Sequence, residues 1–369
     1  MAVAWDLDVV RPELSTLEGD ITADVCVVGL GGSGLTAINE ALARGMSVVG
    51  IDADRIAAGA AGRNGGFMLA GIATFHHDAI AQLGHDRARD LYQHTLDEMD
   101  RIEVATPGAF RRTGVLRKAH DDAEYQDCLN HLAALQADGF AGEEFSGAQG
   151  RGVLTTSDGV FHPAQRAVAL ADMALSAGAR LYTNTPATKI ESGTVHTAHG
   201  TVSAKLVIVA VDGNLGRVLP EAAPHVRAVR LQMISTKPAE QKLEHAVYAR
   251  YGYDYWQQLP DGRVAIGGGR DVAGDSEWTD SQEPTETVYN YLTSTLKDLG
   301  ITAEVENHWA ATVSYTDNGL PFVSEVQPGV WGIGGYCGTG NIVGALLGRA
   351  IVENFATGSS AALRDFTGS

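Results

Sequence analysis

The sequence predicts an α/β protein: one domain around a parallel sheet, and a second, α+β domain with an antiparallel sheet. Three observations carry that prediction. The stretch DVCVVGLGGSG joins an apolar run to a glycine-rich turn and the start of a helical repeat. A second continuous apolar run, LVIVAV at 206–211, appears far downstream. From about residue 226 the runs lengthen and mix polar with apolar residues, as in VRAVRLQMIST and HAVYARYGYDYWQQL. Strands buried on both faces read as continuous apolar runs, whereas half-buried antiparallel strands alternate.

At 369 residues the chain is too long for one ordinary core, so two domains are expected. Hydrophobic residues make up 44%, enough for a large interior. The 27 basic residues face 45 acidic ones, and the net charge of −18 argues against a binder of nucleic acid. Cys26, Cys128 and Cys337 are scattered and lack ligand spacing, so neither a disulfide framework nor a metal site is expected. Cys26 and Cys128 read as small packed hydrophobes. The opening stretch MAVAWDLDVVRPELSTLEGD has no apolar signal core, and no apolar run is long enough to span a bilayer. A cytoplasmic protein is the expectation.

The elements follow in order. Residues 24–29 read as a buried strand, and Leu35, Ile38 and Leu42 give the next helix one packed face, with Gly45 placed to end it. Residues 47–51 form a second apolar strand ending at Asp52. Helices are expected over 79–105, over 121–138, and over 163–177 with Pro163 in the first turn and Gly178 closing it. Short strands follow in LYTNTPATKIESGTVHTAHGTVS, with turns at Ser192-Gly193 and His199-Gly200. The run at 206–211 is bounded by Asp212-Gly213-Asn214 and fits a central parallel strand. Beyond 226 come antiparallel strands, GRVAIGGGR among them, and a helix at 285–299. The chain closes with strand, glycine turn and helix in VWGIGGYCGTGNIVGALLGRAIVENF. The first domain is expected from 1–78, 146–225 and 306–369, and the second from 79–145 and 226–305.

VVGLGGSG has the spacing GxGxxG between strand and helix, with Asp52 closing the second strand. That combination is the Rossmann-like unit for dinucleotides. Gly29 permits the tight turn, Gly31 lets a diphosphate approach, and Gly34 lets the helix pack on the strand. The helix start offers unbonded N–H groups and the positive end of its dipole to phosphates. Asp52 is placed to accept from ribose hydroxyls and would repel a 2′-phosphate, which favours an NAD- or FAD-type adenosine. GAAGRNGG at 59–66 follows directly. Its glycines are expected to bring backbone N–H groups against the cofactor, with Arg63 adding positive charge.

VVGLGGSG, GAAGRNGG, DGVFHPAQ, LVIVAVDGN, DGRVAIGGGR, DNGLPFV and GIGGYCGTGNIVGALLG occur in that order. Together they make the chain resemble the FAD-dependent amine and amino-acid oxidase superfamily of D-amino acid oxidase, glycine oxidase and sarcosine oxidase. GRNGG and RVAIGGG are most similar to its γ-glutamylputrescine oxidase branch. The resemblance implies a Rossmann-like FAD-binding domain and a small-molecule amine or amino-acid substrate. It implies oxidation of a C–N bond by hydride transfer to flavin N5, imine hydrolysis and reoxidation by oxygen. It implies non-covalent FAD, since WAATVSYT offers no cysteine for attachment. Cofactor contacts are implied for Gly29, Gly31, Gly32, Ser33, Gly34 and Asp52, for Arg63, Asn64, Gly65 and Gly66, and for the backbone near Ala187. Gly338, Thr339, Gly340, Asn341 and Ile342 are implied at a helix start beside the flavin's pyrimidine carbonyls. Residues 262–267 and 340–343 lack the lysines that sarcosine oxidase-like members place there. A dehydrogenase with another electron acceptor and a non-catalytic flavin-binding subunit therefore stay open as alternatives.

On one strand, Tyr251, Tyr253 and Tyr255 would share a face, with Gly252, Asp254 and Trp256 on the other. Tyr253 and Tyr255 are expected as an aromatic wall over the flavin, with Asp254 near it to suit a cationic or polar amine. The alternative is a core-facing stripe with Asp254 in solvent. The resemblance adds Trp309 and Tyr336 as catalytic candidates, and Arg263 or Arg270 as a source of positive charge. His76-His77 read as exposed histidines, and His162 as a turn residue at a helix start.

Overall fold

The computed structural model describes residues 3–368. Five strands of the first sheet run parallel, in the order Arg180–Tyr182, Val48–Ile51, Ile21–Val28, Thr201–Val209 and Val330–Gly334. A hairpin of Lys189–Glu191 and Thr194–His196 and the strand Phe322–Gln327 complete it antiparallel. Val25, Val27, Leu206 and Ile208 point to one face, where Leu35, Ile38 and Ala41 of helix Gly32–Ala43 pack with Leu346 and Leu347 of helix Val343–Thr357. Cys26, Val28, Val49 and Val207 point to the other and meet Leu215 and Leu219. A sheet buried on both faces is what the continuous apolar runs required. Fully burying one side chain such as Leu35 contributes about 1.5–3 kcal/mol.

The second sheet orders Val305–Tyr315, Arg227–Thr236, Val264–Gly268, Asp254–Gln258, Ala246–Ala249, Val115–Lys118, Gly150–Thr155 and Glu143–Gly147. Its pairs are antiparallel except that Ala246–Ala249 runs parallel to Val115–Lys118. Helix Glu286–Asp298 covers it through Val288, Leu292 and Leu296, one per turn, against Ile234, Val247 and Ile266. Helix Asp122–Ala137, capped by Asp121 accepting from Glu124 N at 2.9 Å, packs Cys128 and Leu132 on Val153. Because Glu143–Thr155 and Val305–Tyr315 lie in this sheet, it extends past the expected limits at 146 and 306.

Three local expectations are corrected. The helix expected over 79–105 is two helices, His76–Leu83 and His85–Ala105, parted at Gly84, whose φ is 85°. HAVYARYGYDYWQQL is not one strand. Arg250, Tyr251 and Gly252 take φ of 52°, 54° and 87°, which turns the chain between Ala249 and Asp254, so Tyr251 leaves the face of Tyr255. His76 is buried rather than exposed, with Nε2 at 2.7 Å from Asp138 Oδ2.

Candidate functional site

The C-terminal ends of the parallel strands open onto a cavity of about 670 Å³, where open parallel sheets bind their ligands. Its wall starts at Val28, Gly29, Asp52 and Ala210. Tyr248, Tyr255, Met233 and Thr312 of the antiparallel sheet form the opposite wall. Of the expected cofactor contacts and catalytic candidates, Gly34, Gly66 and Trp309 do not line the cavity, and all the others do.

At the parallel-sheet end, helix Gly32–Ala43 begins in the cavity wall. Gly34 stands behind it: a Cβ there would lie 2.0 Å from Gly29 O, so this glycine serves helix–strand packing. Asp52 Oδ2 accepts from Leu30 N at 2.7 Å and Oδ1 from Asp54 N at 3.0 Å, fixing the glycine-rich loop to the second strand. Burial pushes its carboxyl up to about 6. Helix Pro163–Ser176 approaches from the side, and His162 caps it by accepting from Gln165 N at 3.2 Å. From this helix Arg166 reaches the loop. A Cβ on Gly32 would lie 2.7 Å from Arg166 Nη1.

The segment 59–66 forms the middle of the wall and is held from behind. The carbonyls of Arg63 and Asn64 accept from Trp309 Nε1 and Trp5 Nε1, each at 2.8 Å. Those of Gly65 and Gly66 accept from Gln257 Nε2 at 2.7 and 3.1 Å. Part of the expected row of N–H groups is engaged within the loop. The N–H groups of Arg63 and Asn64 donate to Ala60 O, and that of Gly66 to Asn64 Oδ1 at 2.8 Å. Asn341 Nδ2 ties the closing turn to this loop through Asn64 Oδ1 at 3.2 Å and Phe67 O at 3.0 Å. Arg63 lines the cavity, with Nη1 donating to Gln282 Oε1 at 2.8 Å.

The far end is aromatic and cationic. Tyr248 and Tyr255 stack at 6.1 Å, and burial raises the hydroxyls of Tyr248, Tyr255 and Tyr315 above the ordinary tyrosine value. Arg270 lies over the rings of Tyr253 and Tyr315 at 4.3 and 4.8 Å. Arg117 lies over Phe75 and Tyr248 at 5.7 and 5.8 Å. Asp254 is neither solvated nor in the cavity wall: it is buried, and its Oδ2 accepts from Arg250 at 2.9 Å and Tyr291 at 2.6 Å. Arg263 is also outside the wall, bonded to Asp261 and Asp8. Tyr336 lines the cavity with its hydroxyl donated to Ser33 Oγ at 3.1 Å, a strut between helix Gly32–Ala43 and the closing turn. Sequence reasoning missed Arg117, Arg166 and Tyr315. The signal for Arg166 was an arginine inside the stripe Pro163, Ala167, Leu170, Ala171, Ala174.

The model of the family DAO, FAD dependent oxidoreductase, matches residues 24–354. The chain belongs to this family. It is 29% identical to the gamma-glutamylputrescine oxidoreductase of Escherichia coli, covering 92% of this chain and 84% of that protein. It is 28% identical to the probable oxidoreductase OrdL of Rhizobium meliloti, covering 96% and 87%. Glycine oxidase from Geobacillus kaustophilus has the same fold, with a TM-score of 0.74 at 20% identity over 92% of this chain and 96% of that one. The protein is thus an FAD-dependent oxidoreductase, and its cavity suits that cofactor. The described residues include three arginines with a buried Nε lacking any hydrogen-bond partner, Arg63, Arg117 and Arg166, and all three line the cavity. Among the described residues no cluster could hold a metal ion, and no helix is long and apolar enough to cross a membrane.

Proposed function

We propose that this flavoprotein oxidises the C–N bond of an amine bearing a carboxylate, an amino acid or an amino-acid conjugate, with oxygen as the final electron acceptor. FAD, held non-covalently, supplies the two-electron acceptor for the hydrogen on the carbon beside nitrogen. Gly29, Gly31, Gly32 and Ser33 would hold its diphosphate, Asp52 the ribose, and the turn 338–342 the flavin's pyrimidine edge, where a helix start favours negative charge.

The observation that carries the reading is the make-up of the far end. The side chains of Arg117 and Arg270 form neither an ion pair nor a hydrogen bond among the described residues, and both act on Tyr248. Two unpaired cations suit a carboxylate. They also lower the proton affinity of a neighbouring amine, so it enters neutral and gives up hydrogen without a dedicated base. The tyrosines are held protonated by burial, which suits donation to a substrate oxygen. The wall of Tyr248, Tyr255 and Met233 keeps water from the reacting carbon. This replaces the cationic-amine expectation, since Asp254 is engaged by Arg250. Two relatives support amines with an amino-acid part, one named for γ-glutamylputrescine and one for glycine.

The test is an anaerobic screen that follows flavin bleaching by matched amines with and without a carboxylate. Carboxylate-bearing members should bleach the flavin, and air should then yield hydrogen peroxide. Bleaching confined to diamines would defeat the substrate class, and reoxidation only by a quinone would replace the oxidase with a dehydrogenase.

A further inference from the structure

We infer that Arg166 holds the cofactor's diphosphate, as a buried cation whose counter-charge arrives only with that ligand. The inference depends on the cofactor and not on the amine proposed above.

Arg166 is only 3% exposed and lies on the inner stripe of helix Pro163–Ser176. Among the described residues its guanidinium makes no hydrogen bond or ion pair, and its Nε is buried without a partner. The carboxylate whose charge it feels is Glu98, which Arg349 already bonds through Nε at 3.0 Å and Nη2 at 3.3 Å. Arg349 adds like charge at the same place. Burial lowers the proton affinity of Arg166 to about 10, yet the group stays a cation at neutral pH. A charge kept out of water without a partner is costly, and most buried charges are paired.

The direction of the side chain says what would pair it. Its Nη1 stands 2.7 Å from where a Cβ on Gly32 would be, and both residues line the cavity. Gly32 is the first residue of helix Gly32–Ala43. The guanidinium and the positive end of a helix therefore meet at one spot, and both favour the same negative charge. Neither an adenosine nor an oxidised flavin ring offers that charge, whereas a diphosphate does.

The experiment compares Arg166→Gln and Arg166→Lys with wild type, as apoprotein and titrated with FAD, ADP and inorganic pyrophosphate. Loss of an unpaired buried charge should raise the melting temperature of apo Arg166→Gln. Its Kd for FAD and for ADP should rise about 10- to 100-fold. Arg166→Lys should recover part of that affinity. Pyrophosphate should raise the melting temperature of wild type and not of Arg166→Gln, separating the diphosphate from the flavin. Unchanged Kd values in folded Arg166→Gln would overturn the inference. So would a lower apo melting temperature with affinity intact, the mark of a packing role. An Arg166-dependent FAD complex that no amine bleaches would sink the amine proposal and leave this inference standing.

Discussion

Trp309 Nε1 donates to the carbonyl oxygen of Arg63 at 2.8 Å, joining residues 246 apart in sequence. Trp5 does the same for Asn64, and the two indoles meet edge-on at 6.4 Å. With Gln257 under Gly65 and Gly66, four successive carbonyls of the cavity loop are fixed by side chains packed behind it. Trp309 is thus a positioning residue, set one layer behind the cavity it was expected to line. A loop shaped before its ligand arrives loses little freedom on binding.

Trp309→Phe keeps most of the buried ring and removes the donor, leaving the Arg63 carbonyl unpaired. A lost hydrogen bond of about 1 kcal/mol corresponds to a roughly fivefold rise in the Kd for FAD. Flavin fluorescence titration measures it. Retention equal to wild type would show that the loop keeps its shape without the indole.

Arg270→Gln should raise KM for a carboxylate-bearing amine about tenfold or more and leave a matched amine without carboxylate nearly unchanged. Benzoate should perturb the flavin spectrum of wild type and lose that effect in the variant. Equal losses for both amines would mean that Arg270 holds the wall through Tyr253 and Tyr315 instead.

The parallel sheet and the glycine-rich end were legible because their signals are local: Asp24 to Asp52 states strand, turn, helix, strand and acid in 29 consecutive positions. The far end was not. Tyr251, Tyr253 and Tyr255 follow the period of a strand, but positive φ at Arg250 and Tyr251 breaks the period, and nothing in either side chain announces that. His76 looked exposed because its partner Asp138 lies 62 residues away. Asp254 looked available because Tyr291, which engages it, sits on a separate helix. Arg117 looks like any arginine in sequence, and the apolar stripe around Arg166 says that it faces inward but not what it meets. Only burial without a partner sets them apart, and that is a tertiary property.

Arg63→Ala removes the cation from the middle of the cavity wall together with its bond to Gln282. FAD should be retained more weakly, or its visible spectrum should shift. Gln282→Ala keeps the cation and leaves its bond to Ala310 O at 3.3 Å, so it should change the spectrum less. Equal effects would assign the role to the contact instead of the charge.

Asp158 offers a pH test outside the cavity wall. It is 1% exposed, with Oδ1 accepting from Ala70 N at 3.0 Å and Oδ2 buried without a partner. Burial pushes its carboxyl from 3.8 up to about 7, partly countered by the charge of Arg117. Its folded value lies above its unfolded one, so the native state holds the proton more tightly. Its stabilising contribution is full below about 4 and is lost as pH rises through about 7. Asp158→Asn keeps the acceptor for Ala70 and never ionises. Its stability relative to wild type should therefore increase by about 2 kcal/mol between pH 5.5 and 8.5, read from urea unfolding of both proteins. Comparing two chains that differ at one site cancels every other titration. A difference that stays flat across that range would mean Asp158 ionises in the fold as readily as in water, with Arg117 as its full counter-charge and no longer free for a substrate carboxylate.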